Sequence, residues 1–139
     1  MRILPPILQA AERVLGVEPA SAHCDLPCGV YDPAQARIEA ESVQQIIDKY
    51  HDSDDDLFRQ RAIVIKEERA ELVKHHLWVL WTDYFTPAHL DDHPELHELF
   101  WKATKLAGES KHTVDKKVAQ QLLDTIGEID KVFWDTKSS

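Results

Sequence analysis

Cysteine is scarce in this chain: Cys24 and Cys28 are the only two among 139 residues. A disulfide-stapled scaffold needs more, and a closed zinc site built on them would have to recruit histidines from elsewhere. Glycine is also sparse, at four, and no P-loop, G-x-S-x-G elbow or dinucleotide fingerprint occurs. Nothing approaches the roughly 20 consecutive apolar residues of a spanning helix, which excludes a transmembrane protein. Positive charge is short as well. The 16 Lys+Arg against 25 Asp+Glu leave a net charge of −9, which argues against nucleic acid and against an anionic membrane surface as partners. Strand-like alternation is missing, and so are the paired E-x-x-H motifs that a di-iron helical bundle requires. What remains, at 43% hydrophobic and 29% charged residues, suits one compact domain able to bury a core.

Residues 1–22, MRILPPILQAAERVLGVEPASA, differ from the rest in being apolar, proline-bearing and neutral, Arg2 and Arg13 cancelling Glu12 and Glu18. They read as a leader that is removed. Ala20-Ser21-Ala22 resembles a signal-peptidase site, but Pro5, Pro6 and Glu12-Arg13 interrupt a continuous hydrophobic region. A short amphipathic helix belonging to the fold is the competing reading. The expected location is the cytoplasm, with secretion after leader cleavage left open.

After a turn-rich stretch from His23 to Pro33, helical periodicity dominates. The first segment, Ala34 to Tyr50, carries a stripe at Ala36, Glu39/Ala40, Val43, Ile46/Ile47 and Tyr50. Ser53 is the expected N-cap of a second, long helix with Asp54 to Asp56 in its first turn. Its expected stripe runs Phe58, Ala62, Ile65, Arg69, Leu72, His76 and Val79/Leu80, and it should end near Phe85, before Pro87. A third segment starts at His93-Pro94 and runs on Leu96, Leu99, Phe100 and Ala103 toward Gly108. The last, Thr113 to Trp134, uses Val114, Val118, Leu122, Ile126, Ile129 and Phe133. Long helices with short connections predict an all-α, antiparallel four-helix bundle preceded by an irregular N-terminal hook. Trp78, Trp81, Trp101 and Trp134 are expected as core or subunit-interface anchors. His89, His93 and His97 sit four apart, but Pro94 opposes the unbroken helix a metal face needs, so a connecting or capping role is expected. His76 is read as a core or interface residue beside His75.

Two charged residues interrupt the apolar stripes, Glu39 and Arg69. A lone buried charge is very costly, so each is expected to pair with the other, either as plain structure or as support for a ligand.

The chemistry concentrates in His23-Cys24-Asp25-Leu26-Pro27-Cys28-Gly29-Val30-Tyr31. Pro27 and Gly29 favour a compact turn that converges two soft sulfur donors, suited to copper, zinc, nickel or iron, and His23 adds a nitrogen. Cleavage after Ala22 would create a free amine at His23, placed to chelate together with the Cys24 amide nitrogen. Two nitrogens and two sulfurs in a plane suit Ni(II) or Cu(II), whereas Zn(II) favours a tetrahedron. An uncleaved leader, keeping that amine acylated, would act as a catch on metal loading.

The run HCDLPCGVYDPAQARIEAESV resembles the hook and first helix of the nickel superoxide dismutase family. The likeness continues through A-x-V-I-K-E-x-R-A-E-L-x-K-H-H-x-x-V-L-W-x-D-Y-F from Ala62 to Phe85, Pro94-Glu95-Leu96-His97, and Ile129 to Trp134. It implies domain limits of 1–22 for the leader and 23–139 for the enzyme. It implies one nickel ion per subunit, cycling between Ni(II) and Ni(III), on the His23 amine, the Cys24 amide nitrogen and the Cys24 and Cys28 sulfurs, with the His23 imidazole axial. The activity implied is conversion of superoxide to O2 and H2O2. The resemblance gives Tyr31 the family's role at the open face of the metal, Tyr84 matches a second family tyrosine and its neighbour Asp83 fits the pattern, Asp25 lies in the supporting shell, and Glu39 and Arg69 match the pair that holds the axial imidazole. Pro27 matches a proline with a cis peptide. A homohexamer and a leader-processing protease are implied as partners. The chain departs from the family at Thr86, where a lysine is common. A non-catalytic nickel or copper binding and delivery protein is the runner-up from the donors alone, and a metal-free helical interaction module comes third.

Overall fold

A computed structural model describes residues 28–138. The leader, His23, Cys24, Asp25 and Pro27 lie outside the described residues, so the expectations placed on them are taken up below as proposals.

Asp32 and Pro33 start the first helix, α1, Ala34–Asp52. The Asp32 Oδ1 accepts the Ala34 amide at 2.8 Å, and Pro33 supplies a helical φ of −59° where no amide is needed. The expected core row is observed, with Ala36, Ala40, Val43 and Ile47 fully buried.

The second helix, α2, Asp56–Val79, differs from expectation at both its cap and its face. Its N-cap is Asp55, whose Oδ1 accepts the amides of Leu57 at 3.0 Å and Phe58 at 3.4 Å, while Ser53 Oγ takes the Asp55 amide. A cap must reach two or three residues ahead, and Ser53 sits too early to do so. The buried row is Ala62, Lys66, Ala70, Val73, Leu77 and Leu80, one step around from the predicted row, which leaves Phe58 39% and Ile65 38% exposed. Small side chains explain the choice: Ala62 and Ala70 let α1 approach closely, and the long stem of Lys66 fills space that a count of large apolar residues assigns elsewhere. Lys66 is 1% exposed, and its Nζ donates to the carbonyls of Ser110, Lys111 and Thr113 at 2.7, 2.9 and 2.8 Å. Burial pushes this ammonium below the ordinary lysine value.

Beyond Val79 the helix widens into a π turn, Leu80–Tyr84, closed by the Phe85 amide on the Leu80 carbonyl at 3.0 Å. A short helix that periodicity did not reveal, α3, Pro87–Asp92, follows. Thr86 caps it: Thr86 Oγ1 accepts the His89 amide, and His89 Nδ1 accepts the Thr86 amide at 3.2 Å. The capping role expected for this histidine series is thus observed at His89, and His93 pairs with Glu95 at 3.2 Å. The fourth helix, α4, Leu96–His112, runs past Gly108, and the fifth, α5, Lys116–Ser138, buries Val118, Leu122, Ile126, Ile129 and Phe133 as its pattern demands.

The four long helices α1, α2, α4 and α5 close an antiparallel ring, α1 touching α2 and α5, and α4 touching α2 and α5. Gln44 with Gln120 and Asp48 with Lys116 mark the antiparallel α1–α5 seam. The predicted four-helix bundle is the fold, with no strand among the described residues. None of its described helices is long and apolar enough to cross a membrane. Of the tryptophans, Trp81 packs on the core, whereas Trp78, Trp101 and Trp134 are 46, 66 and 48% exposed.

Candidate metal centre

The described chain enters at one end of the bundle with Cys28, Gly29, Val30 and Tyr31. Gly29 turns it with a φ of +72°, a left-handed conformation that a side chain would strain. That turn points the Val30 amide at the Cys28 sulfur, 3.4 Å away. An amide donor on sulfur favours the thiolate, the form that binds metal. Cys28 is exposed, and the chain is first fully buried five residues later, at Pro33.

Tyr31 is half-buried and lies against Tyr84, with ring centroids 5.7 Å apart. The π turn delivers Tyr84 to this position, because widening the last turn swings it toward α5. Its ring packs on Phe133 at 4.5 Å and stacks on His89 at 5.5 Å. Its hydroxyl lies 2.6 Å from Thr136 Oγ1, which itself donates to the Phe133 carbonyl, so Tyr84 is the donor to Thr136. Asp83 beside it is exposed, with Oδ1 3.0 Å from Thr82 Oγ1.

Glu39 and Arg69 meet as expected, across α1 and α2. One guanidinium nitrogen reaches both carboxylate oxygens, at 3.2 and 3.4 Å. The side chains keep 17% and 38% of their exposure, so the pair sits at the edge of the core and not within it. The carboxylate can therefore still accept a hydrogen bond from a neighbour.

The donor chemistry fits a soft or borderline metal at this end. Cys28 supplies one oriented sulfur, and the further donors expected from the sequence, His23 and Cys24, precede it by five and four positions, outside the described residues. Among the described residues no cluster of three or more His, Cys, Asp or Glu could hold a metal ion.

Sequence reasoning did not find Thr136, Lys137 or His89 as neighbours of Tyr84. Thr136 follows the buried Phe133 by three positions and so shares its face, the one signal available. Lys137 comes over the Tyr84 ring, Nζ to centroid 5.1 Å, which only the packing of α5 on the π turn sets.

Residues 18–137 match the family model of nickel-containing superoxide dismutase. Nickel-type superoxide dismutases of Streptomyces seoulensis and Streptomyces coelicolor are 59% and 56% identical over 119 residues, each comparison covering 86% of this chain and 91% of the relative. A solved nickel-containing superoxide dismutase, with its nickel ligation in the oxidized state, superposes with a TM-score of 0.82 at 58% identity, over 84% of this chain and 100% of that one. Agreement of sequence and fold over that much of the molecule leaves one assignment: this chain belongs to the nickel-containing superoxide dismutase family.

Proposed function

We propose that the chain dismutes superoxide with one nickel ion per subunit, once shortened to begin at His23. The His23 amine, the Cys24 amide nitrogen and the sulfurs of Cys24 and Cys28 would hold the ion, with the His23 imidazole as a further donor. The observation that carries this reading is the meeting of Tyr31, three residues after Cys28, with Tyr84 at one end of a bundle whose sequence matches the family over residues 18–137. Bound nickel supplies a one-electron Ni(II)/Ni(III) couple, which one superoxide uses to leave as O2 and a second, with two protons, to leave as H2O2.

The protein's own residues prepare that chemistry. Gly29 and the Val30 amide hold the Cys28 sulfur as an oriented thiolate, and anionic sulfur with deprotonated amide nitrogen would bring Ni(III) within reach of superoxide. Tyr31, braced by a Tyr84 ring that is itself anchored on Thr136, forms a rigid rim that admits a small anion and restricts larger ones. The Glu39–Arg69 pair orients the His23 imidazole, as a carboxylate partner does for a metal-bound histidine. Asp25 supports the hook from within it.

Leader removal is part of the reading, because an acylated nitrogen cannot donate as an amine does. In support, the solved relative is covered end to end by 84% of the 139 residues, about 117, the number left once the first 22 are gone. A leader-processing protease is therefore a required partner. The exposed Trp78, Trp101 and Trp134 support burial between copies of the chain, as in a homohexamer. The interrupted leader supports retention in the cytoplasm.

The test compares the 139-residue precursor with protein beginning at His23. Only the shortened protein should retain nickel at one equivalent and consume superoxide, with a Ni(III) paramagnetic signal that His23→Ala removes. Equal activity in both forms would overturn the amine-ligand assignment.

A further inference from the structure

Three of the chain's four tryptophans gather on a surface that the proposed metal centre does not use. Trp78 of α2, Trp81 of the π turn, and Phe100 and Trp101 of α4 line a groove of about 330 Å³. Its floor is fixed, because Trp81 packs on the core with ring centroids 4.9 Å from Phe100 and 5.0 Å from His97. Its walls, Trp78 and Trp101, are 46 and 66% exposed. Lys105 Nζ sits 5.5 Å from the Trp101 centroid and steadies that wall. A contiguous aromatic surface left open in this way marks a binding site. The groove lies toward the end of the bundle where the chain enters: from Phe100, ring contacts pass to Phe85 at 5.5 Å, to Tyr84 at 5.0 Å and to Tyr31 at 5.7 Å.

Upstream of Tyr31 the sequence holds a segment with no purpose yet assigned, Ile3-Leu4-Pro5-Pro6-Ile7-Leu8, six uncharged residues of the leader. Its prolines are what interrupt a signal-peptide reading. Adjacent prolines restrict a segment to extended backbone before it binds, so docking loses little entropy, and aromatic-lined grooves are the surfaces that take such segments. The aliphatic side chains flanking the prolines add apolar area to set against the ring walls. Length permits the contact, since the 22 residues between Leu8 and Tyr31 reach about 70 Å when extended. We propose that in the uncut chain residues 3–8 of the leader dock into the aromatic groove between α2 and α4 of the same bundle. Docking covers Trp78 and Trp101 until the leader is removed, and cutting then bares the groove. Removal thus uncovers a surface as well as freeing the His23 amine. The docking needs neither nickel nor turnover, so it is tested by exposure where the dismutase reading is tested by activity, and either can fail alone.

Fluorotryptophan labelling of the 139-residue chain gives four fluorine signals, assigned by replacing each tryptophan in turn with phenylalanine. Their relaxation by a neutral nitroxide reads exposure, and Trp134, 48% exposed and outside the groove, is the internal reference. Wild type is compared with the double variant Leu4→Ser/Ile7→Ser, whose changes lie outside every described helix and leave the bundle's packing alone. A tethered segment acts at an effective concentration of about 1 mM, so relaxation at Trp78 and Trp101 should be at least about twofold lower in wild type at every protein concentration. Trp134 should be equal in both. Protein beginning at His23, which retains all the described helices, should match the variant, and adding a peptide of residues 1–22 should restore the protection. Equal relaxation of both groove tryptophans in wild type and variant would overturn the docking. Protection that appears only as protein concentration rises would overturn it too, by making a second copy the occupant.

Discussion

Lys66 and the Glu39–Arg69 pair show how far the worth of a charge depends on its surroundings. Lys66 is buried and satisfies three carbonyls at the C-terminal end of α4, groups that a helix end leaves without partners. Lys66→Met should keep the volume but orphan those carbonyls, costing about 2–4 kcal/mol in urea unfolding. Because burial lowers its folded pKa below 10.5, the unfolded state binds more protons between the two values. The stability of wild type relative to Lys66→Met should therefore rise with pH as the folded value is passed and level off above 10.5. Glu39 and Arg69 are partly exposed, so breaking them matters little to folding. Glu39→Gln should cost under about 1 kcal/mol in the same assay. On the proposed assignment it should nevertheless lower kcat and shift the Ni(III) paramagnetic spectrum, because a carboxylate that orients a metal-binding imidazole changes how it donates. An unchanged spectrum and kcat would reduce the pair to structure.

Among the elements, the ends of helices carry the consequences. Asp55 caps α2 through two amides, whereas Ser53 touches only the Asp55 amide. Asp55→Ala should lower the melting temperature by the equivalent of about 1 kcal/mol, and Ser53→Ala by clearly less. The reverse order would restore the cap expected from the sequence. The π turn at Leu80–Tyr84 is the element that makes the site, since it aims Tyr84 at Tyr31 and α5. It was not legible in advance. Period counting assumes 3.6 residues per turn, and a π turn is selected by what its wider circle can pack against. The face of α2 was misread for a related reason. Periodicity ranks rows by large apolar residues, but the row chosen is the one with two alanines and a lysine whose ammonium finds its acceptors on a different helix.

For the molecule as a whole, the bundle is expected to keep its fold without the hook's metal. The core of Leu77, Leu96, Leu122, Ile126, Ile129 and Phe133 lies inside the helices, away from the exposed Cys28. Chelating nickel from the active protein should abolish superoxide consumption while leaving helical circular dichroism at 222 nm within about a tenth of its starting value. Loss of helicity in step with activity would show instead that the metal holds the bundle together. The four long helices, three of their four core faces and the partnership of Glu39 with Arg69 were determined by the sequence alone. Each depends on local chemistry or on spacing within one segment, and the pairing follows from the cost of leaving either charge alone. Tertiary structure alone decided which row of α2 faces inward, where Lys66 sends its charge, and how Tyr84, His89, Thr136 and Lys137 gather around the entrance. Those outcomes are contacts between residues distant in the chain, and their energies exist only once the helices have chosen their neighbours.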